Sequence, residues 1–170
     1  AWAAGETSND TAPLQGNTGA GTGATIGKGG GPAHLMKGGL GTASFQVEDL
    51  VVGAIVAVNC FGDIIDPESG RNIAGSFDRE KKVFVDSMKN TVSTTADISR
   101  VFKSNTTIGI VASNARLSKA HTARVAIMAQ DGYARTINPA HTTFDGDTVF
   151  SLSTGKVEAD LNVVGTLSAQ

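Results

Sequence analysis

The sequence predicts a layered α/β fold, on three observations. Residues 51–58 (VVGAIVAV) and 106–113 (TTIGIVAS) are apolar runs rich in Val and Ile, the pattern of strands covered on both faces. Ahead of a third short run, Thr148–Leu152, lies a helix signal: Ser118 as N-cap, apolar positions at Val125, Met128 and Ile137, and Asn138-Pro139 as the stop. Buried strands with a helix between them pack in layers.

Taken in order, residues 1–18 are small and polar and read as a surface segment. Gly19–Gly41 is dense in glycine without a collagen period, with Ile26, Leu35, Met36 and Leu40 spaced through it. Glycine at that density marks backbone that turns with positive φ or that something must approach closely. Asn59 ends the first strand, and Asp66-Pro67-Glu68-Ser69-Gly70 supplies turn chemistry. Residues 76–104 carry clustered charges and then the polar run NTVSTTADIS, and read as a solvated, variable connector with room for a short helix. After the third strand, Val163-Val164 begins an element that the chain does not finish.

The 170 residues predict one domain, 1–170. A net charge of −2 with 18% charged residues excludes both a disordered charged tail and binding of nucleic acid through a strong positive field. No apolar stretch is long enough to span a membrane. A single cysteine, Cys60, excludes a disulfide scaffold and suits a reducing, cytoplasmic setting. The start, Ala-Trp-Ala-Ala, reads as a cut end of something longer.

Several motifs fail. Gly27-Lys28 has Thr22 where a phosphate-binding loop needs its first glycine and Gly29 where it needs Ser or Thr. Gly19-x-Gly21-x-x-Ala24 lacks the strand that a dinucleotide fingerprint follows. His34, His121 and His141 have no metal-ligand spacing with one another or with Cys60, so neither metal nor cofactor is implied.

What survives is the abrupt start of the second strand, Ser104-Asn105-Thr106-Thr107. It reads as a strand edge with β-favouring threonines. It reads also as a self-cleaving junction. Were the Asn105–Thr106 bond to break, Thr106 would hold a hydroxyl nucleophile beside a free α-amine, whose reference pKa of about 7.7 suits a general base.

The surrounding segments favour the junction. GNTGAGTGATIGK (Gly16–Lys28), KGGLGTAS (Lys37–Ser44), VGAIVAVNCFGDIIDP (Val52–Pro67), NTTIGIVASNARLSK (Asn105–Lys119) and NPAHTTFDGDTVFSLSTG (Asn138–Gly155) are present in that order. Together they resemble the L-aminopeptidase/D-esterase, β-aminopeptidase and nylon-oligomer (6-aminohexanoate-oligomer) hydrolase family. The resemblance implies a self-processing amide hydrolase with an αββα, N-terminal-nucleophile-like fold. It would be cleaved into pieces 1–105 and 106–170. Asn before Thr at the junction looks like the nylon-oligomer branch, whose substrates are linear amides. Aminopeptidase/esterase chemistry is the alternative, and a non-catalytic remnant of the fold is a second one.

By the same resemblance Thr106 is the nucleophile, with Thr107 as fallback. Asn59 matches the family's active-site asparagine, whose amide can donate to an oxyanion; an Asn bonding its own backbone at a strand end is the plainer reading. Asp145 and Asp147 match an acidic pair that would orient the Thr106 amine and shuttle its proton; spacing alone reads as an Asp-Gly-Asp surface turn. A lysine belongs near the nucleophile, and Lys28 fits it better than Lys37, which sits in a widespread KGG motif. An ammonium there would disfavour protonation of the Thr106 amine. The glycine-rich loop would form a wall that lets substrate backbone approach. Family members are about twice this length, so the upstream half, with an active-site tyrosine that Tyr133 does not match, would lie on another chain or be missing. A homo-oligomer of processed protomers is expected.

Overall fold

The computed structural model describes residues 14–93 and 105–170. In chain order the strands are β1 (Thr25–Ile26), β2 (Met36–Lys37), β3 (Gly39–Val47), β4 (Leu50–Val58), β5 (Asp63–Ile65), β6 (Asn72–Ala74), β7 (Phe77–Asp78), β8 (Val83–Phe84), β9 (Ile108–Ala115), β10 (Ile137–Asn138) and β11 (Thr148–Val157). The helices are α1 (Ser87–Val92), α2 (Lys119–Thr136) and α3 (Leu161–Ser168).

The main sheet has the order β11-β9-β4-β3. β3 and β4 form an antiparallel hairpin, β4 and β9 are antiparallel, and β9 and β11 run parallel. A parallel pair needs a long crossover, and α2 supplies it. The Ser118 hydroxyl accepts the His121 amide at 3.2 Å and caps that helix as expected. α2 and α3 cover one face of the sheet, where Leu50, Val52, Val111 and Ala115 pack against Val125, Ala129 and Val164. The other face also carries large apolar side chains. Among the described residues Ile108, Ile110, Phe150 and Leu152 are 41–58% exposed there.

Three stretches are more ordered than the sequence predicts. β3 begins at Gly39, inside the end of the glycine-rich stretch, and runs to Val47. α3 completes the element expected at Val163-Val164, with the Asp160 carboxylate accepting the Asn162 amide at 2.8 Å. The expected connector 76–104 is folded over 76–93: α1 is the short helix that the sequence left room for, Ser76 and Ser87 anchor the stretch, and residues 79–84 between them are exposed. Phe77 and Phe84 meet edge to face at 5.3 Å across the β7–β8 pair. Ser76 and Ser87 are fully buried against Asp63. Residues 94–104 lie outside those described.

Asp63 explains this order. One oxygen of its buried carboxylate accepts the Ser76 amide (2.7 Å) and the Ser87 hydroxyl (2.7 Å), and the other accepts the Ser87 amide (2.8 Å). Burial pushes its pKa up and the three hydrogen bonds oppose that. The clamp seats residues 76–87 beneath the loop that carries Lys28. Gly27 makes the fit possible: at φ +71° a side chain would be strained, and a Cβ would collide with the backbone of Gly75 and Ser76.

Candidate active site

Three strand ends converge on Thr106. The β4–β9 register pairs Ala57 with Ile108, so the residue just past β4, Asn59, falls beside the residues just before β9. The parallel β9–β11 register pairs Ile108 with Thr148, so Asp145–Asp147 run alongside Asn105–Thr107. Asn105 and Asp145 form a parallel bridge.

Thr106 is half-buried, and its amide donates to the Asn59 carbonyl at 3.0 Å. Its hydroxyl donates to the carbonyl oxygen of Asn105 at 2.6 Å. The nucleophile expected from the sequence thus lies against the peptide bond it would cleave. Lys28, 3% exposed on a 3₁₀ turn, donates from Nζ to the same Asn59 carbonyl (3.0 Å) and to Asn59 Oδ1 (2.9 Å). Oδ1 also accepts the Thr25 amide at 3.0 Å, so two donors fix which end of the side-chain amide is oxygen. Asn59 therefore bonds well beyond its own backbone. Burial holds the Lys28 ammonium below its ordinary pKa, while Cys60 and Asp145 pull it back up.

The structure brings Lys28 to Asn59, whereas Lys37 stands exposed on β2 opposite Thr25. Thr107 is fully buried and faces away from this cluster, toward the helix-covered side that Tyr133 and Val56 line. Asp145 and Asp147 do not form a surface turn. Asp145 Oδ1 accepts the Phe61 amide (3.1 Å), and Oδ2 accepts the Thr142 amide (3.2 Å) and hydroxyl (2.6 Å). Asp147, with a side chain 1% exposed, accepts the Thr107 amide at 2.8 Å and faces His141 Nδ1 at 3.2 Å. In this uncleaved chain the Thr106 nitrogen is thus held by the Asn59 carbonyl, not by the acidic pair. The reason is register: the Thr106 N–H points to the β4 side, whereas the Asn105 carbonyl and the Thr107 N–H point to the Asp145–Asp147 side, and the carboxylates brace the loops on either side of the junction.

Sequence reasoning missed Asp63, Thr25, His141 and Gly146. The Gly146 amide donates to the Asn105 carbonyl at 2.8 Å. Only the position of His141 within the matched segment Asn138–Gly155 could have flagged it. A cleft of about 460 Å³ opens beside Thr106, lined by Ala20, Thr22, Gly23, Asn59 and Ile108. Part of the glycine-rich segment therefore forms one wall. Cys60 is fully buried, and burial pushes its thiol up to about 12. Among the described residues no three His, Cys, Asp or Glu side chains converge as a metal site requires, and no helix is long and apolar enough to cross a membrane.

The chain is 44% identical over 151 residues to a protein of Mycobacterium leprae (strain TN) described as an uncharacterised aminopeptidase, covering 88% of this chain and 40% of that one. It is 30% identical over 151 residues to the 6-aminohexanoate-oligomer endohydrolase of Paenarthrobacter ureafaciens, covering 85% of this chain and 41% of that protein. The chain thus spans about two fifths of the length of these relatives. The L-aminopeptidase D-Ala-esterase/amidase of Ochrobactrum anthropi, described as a variant of the Ntn hydrolase fold, superposes with a TM-score of 0.59 at 21% identity over 92% of this chain and 42% of its own. A β-aminopeptidase from a Burkholderia species gives 0.60 at 18% identity, over 94% and 44%. The fold is that of the Ntn hydrolase aminopeptidases. The model of peptidase family S58 matches residues 1–169, and the chain belongs to that family.

Proposed function

We propose that this chain carries the nucleophile-bearing part of a self-processing amide hydrolase, with Thr106 as nucleophile once the Asn105–Thr106 bond has broken. The observation that carries the reading is the contact of the Thr106 hydroxyl with the Asn105 carbonyl at 2.6 Å, beside the hydrogen bond of buried Lys28 to half-buried Asn59. Cleavage converts the Thr106 amide into an amine still within reach of the Asn59 carbonyl. That amine takes the proton as the hydroxyl attacks the substrate carbonyl and returns it to the leaving nitrogen. Lys28 keeps the amine unprotonated by repelling a second positive charge. Asn59 orients the amine and, through its side-chain amide, offers a donor for the oxyanion. Asp145 and Asp147 hold the loops, and Asp145 sustains the charge on Lys28. No cofactor enters.

The substrate class we propose is a short linear amide of the 6-aminohexanoate-oligomer kind, supported by the Asn-Thr junction and by the similarity to the endohydrolase. The higher identity to the mycobacterial protein supports a second reading, an aminopeptidase for small amino amides. The exposed apolar side chains on the sheet support assembly with the remainder of the fold and into an oligomer. The test is an assay of the full-length protein on 6-aminohexanoate oligomers against amino-acid p-nitroanilides, with Thr106→Ala as control. Faster turnover of the oligomers supports the first reading, and faster turnover of the anilides replaces it with the second. An active Thr106→Ala enzyme overturns both.

A further inference from the structure

We propose that the backbone N–H of Gly146 is the oxyanion donor for cleavage of the Asn105–Thr106 bond, and that glycine at 146 is what leaves the Thr106 hydroxyl room to attack. The inference rests on Thr106 being the self-cleaving nucleophile and adds the group that stabilises the reaction's charge.

The reacting peptide is held at each of its polar atoms. Its nitrogen donates to the Asn59 carbonyl at 3.0 Å, and its oxygen accepts from Gly146 N–H at 2.8 Å and from the Thr106 hydroxyl at 2.6 Å. Asn105 itself is 2% exposed. In the reaction the Thr106 Oγ1 forms a bond to the Asn105 carbonyl carbon, and the carbonyl π pair moves onto the Asn105 oxygen. When that pair returns, the carbon–nitrogen bond breaks. The nitrogen leaves as an amine carrying the proton that Oγ1 gave up. The product is an ester between Asn105 and the Thr106 hydroxyl; water hydrolyses it to the Asn105 carboxylate and a free Thr106. Negative charge on the Asn105 oxygen is the feature the transition state has and the ground state lacks, so a fixed donor aimed at that oxygen is catalytic by differential stabilisation.

Gly146 N–H is fixed. On one side Asp145 is tied by both oxygens to Phe61 and Thr142, and on the other Asp147 is tied to Thr107. These bonds give the two carboxylates a defined part in self-cleavage: they set the donor between them. Steric room is equally specific. A Cβ at 146 would stand 2.8 Å from Thr106 Oγ1 and 3.6 Å from its Cγ2. Thr106 is β-branched and stiff at χ1, so the hydroxyl could yield only by leaving its place against the Asn105 carbonyl.

The test uses the full-length protein, with self-cleavage followed by intact mass. One form carries a backbone ester in place of the 145–146 amide, introduced by ligating a synthetic downstream segment; it lacks the N–H and keeps the shape. The other is Gly146→Ala, which keeps the N–H and adds the methyl. The ester-bearing chain is expected to cleave about 10²–10³-fold more slowly, the usual loss for one oxyanion donor, and Gly146→Ala to cleave more slowly as well, because its methyl displaces the Thr106 hydroxyl. Hydroxylamine, which releases fragments from an accumulated ester, is applied to Gly146→Ala alone because it would also cut the engineered 145–146 ester; it should not restore cleavage there, because ester formation is the step that is slowed. An ester-bearing chain that cleaves within about threefold of the native rate overturns the donor role, whatever the alanine variant does. An alanine variant that cleaves at the native rate, or that hydroxylamine rescues, overturns the steric role. If Gly146→Ala does not fold, the backbone ester alone decides. Thr106→Ala separates the two levels: cleavage persisting there refutes the nucleophile, whereas a silent Thr106→Ala with normal ester-bearing cleavage refutes only the donor.

Discussion

Replacing Lys28 with Met should move the ascending limb of kcat/KM to higher pH. Lys28 Nζ and the Thr106 nitrogen each lie 3.0 Å from the Asn59 carbonyl oxygen, so they are no more than twice that, 6.0 Å, apart. Two unit positive charges at that distance repel by ~0.7 kcal/mol if the site is as polar as water and ~2.8 kcal/mol at an effective dielectric constant of 20. These energies correspond to ~0.5 and ~2 units of pKa. The repulsion opposes protonation of the Thr106 amine, lowers its pKa below the free α-amine value, and lets the basic form persist to lower pH. Removing Lys28 removes the repulsion, so the limb rises by ~0.5–2 units. The shift requires Lys28 to be charged across the limb; burial works against that charge and Asp145 supports it. The assay is a kcat/KM profile on a small amide for processed enzyme, with processing of the variant checked by mass. An unmoved limb, or one displaced downward, refutes the electrostatic role.

Other substitutions test the scaffold. Asp63→Ala strands the buried Ser76 and Ser87 amides, so we expect a loss of ~2–6 kcal/mol in denaturant unfolding, at ~1–3 per orphaned donor; a loss under ~0.5 kcal/mol would show that the clamp does not hold residues 76–87. Because burial raises the Asp63 pKa, the folded state holds that proton more tightly than the unfolded chain, and stability falls as pH rises from 3.8 through the raised value. Asp63→Asn should abolish that part of the pH dependence, and an unchanged slope would refute it. His141→Leu leaves the buried Asp147 carboxylate without its facing imidazole; self-cleavage should slow while His141→Asn, which keeps a donor near the Nδ1 position, recovers part of the rate. Equal rates in the two variants would remove His141 from the bracing of Asp147. Cys60, fully buried with its thiol pushed up to about 12, should resist thiol reagents until the protein unfolds; rapid labelling of native protein would contradict its placement.

Local signals carried the long elements and failed for those defined by distant partners. Ser118 and Asn138-Pro139 bracket α2 because caps and stops act over a few residues. β9 and β4 were legible as apolar runs, yet periodicity could not show that Ile110 and Phe150 are exposed among the described residues. β3 was hidden because Gly39, Gly41 and Ala43 lack the bulk that marks a strand, although they pair with Val58, Val56 and Ala54. The meeting of Lys28, Asn59 and Thr106 was legible only through the order of whole segments, since they come from three separate places in the chain. The Asp63 clamp had no local signature: its partners are 13 and 24 residues on, inside a stretch whose charges suggested solvent. Nor could spacing assign Asp145 and Asp147 their partners. That depends on the parallel register that sets β11 beside β9.

The most direct test of the central claim is intact mass and N-terminal sequencing of the full-length protein as purified and after incubation. Breakage at the Asn105–Thr106 bond, giving a downstream fragment that begins Thr-Thr-Ile-Gly-Ile-Val-Ala-Ser, is the predicted result. A chain that stays whole while hydrolysing amides, or that is cut elsewhere, would contradict it.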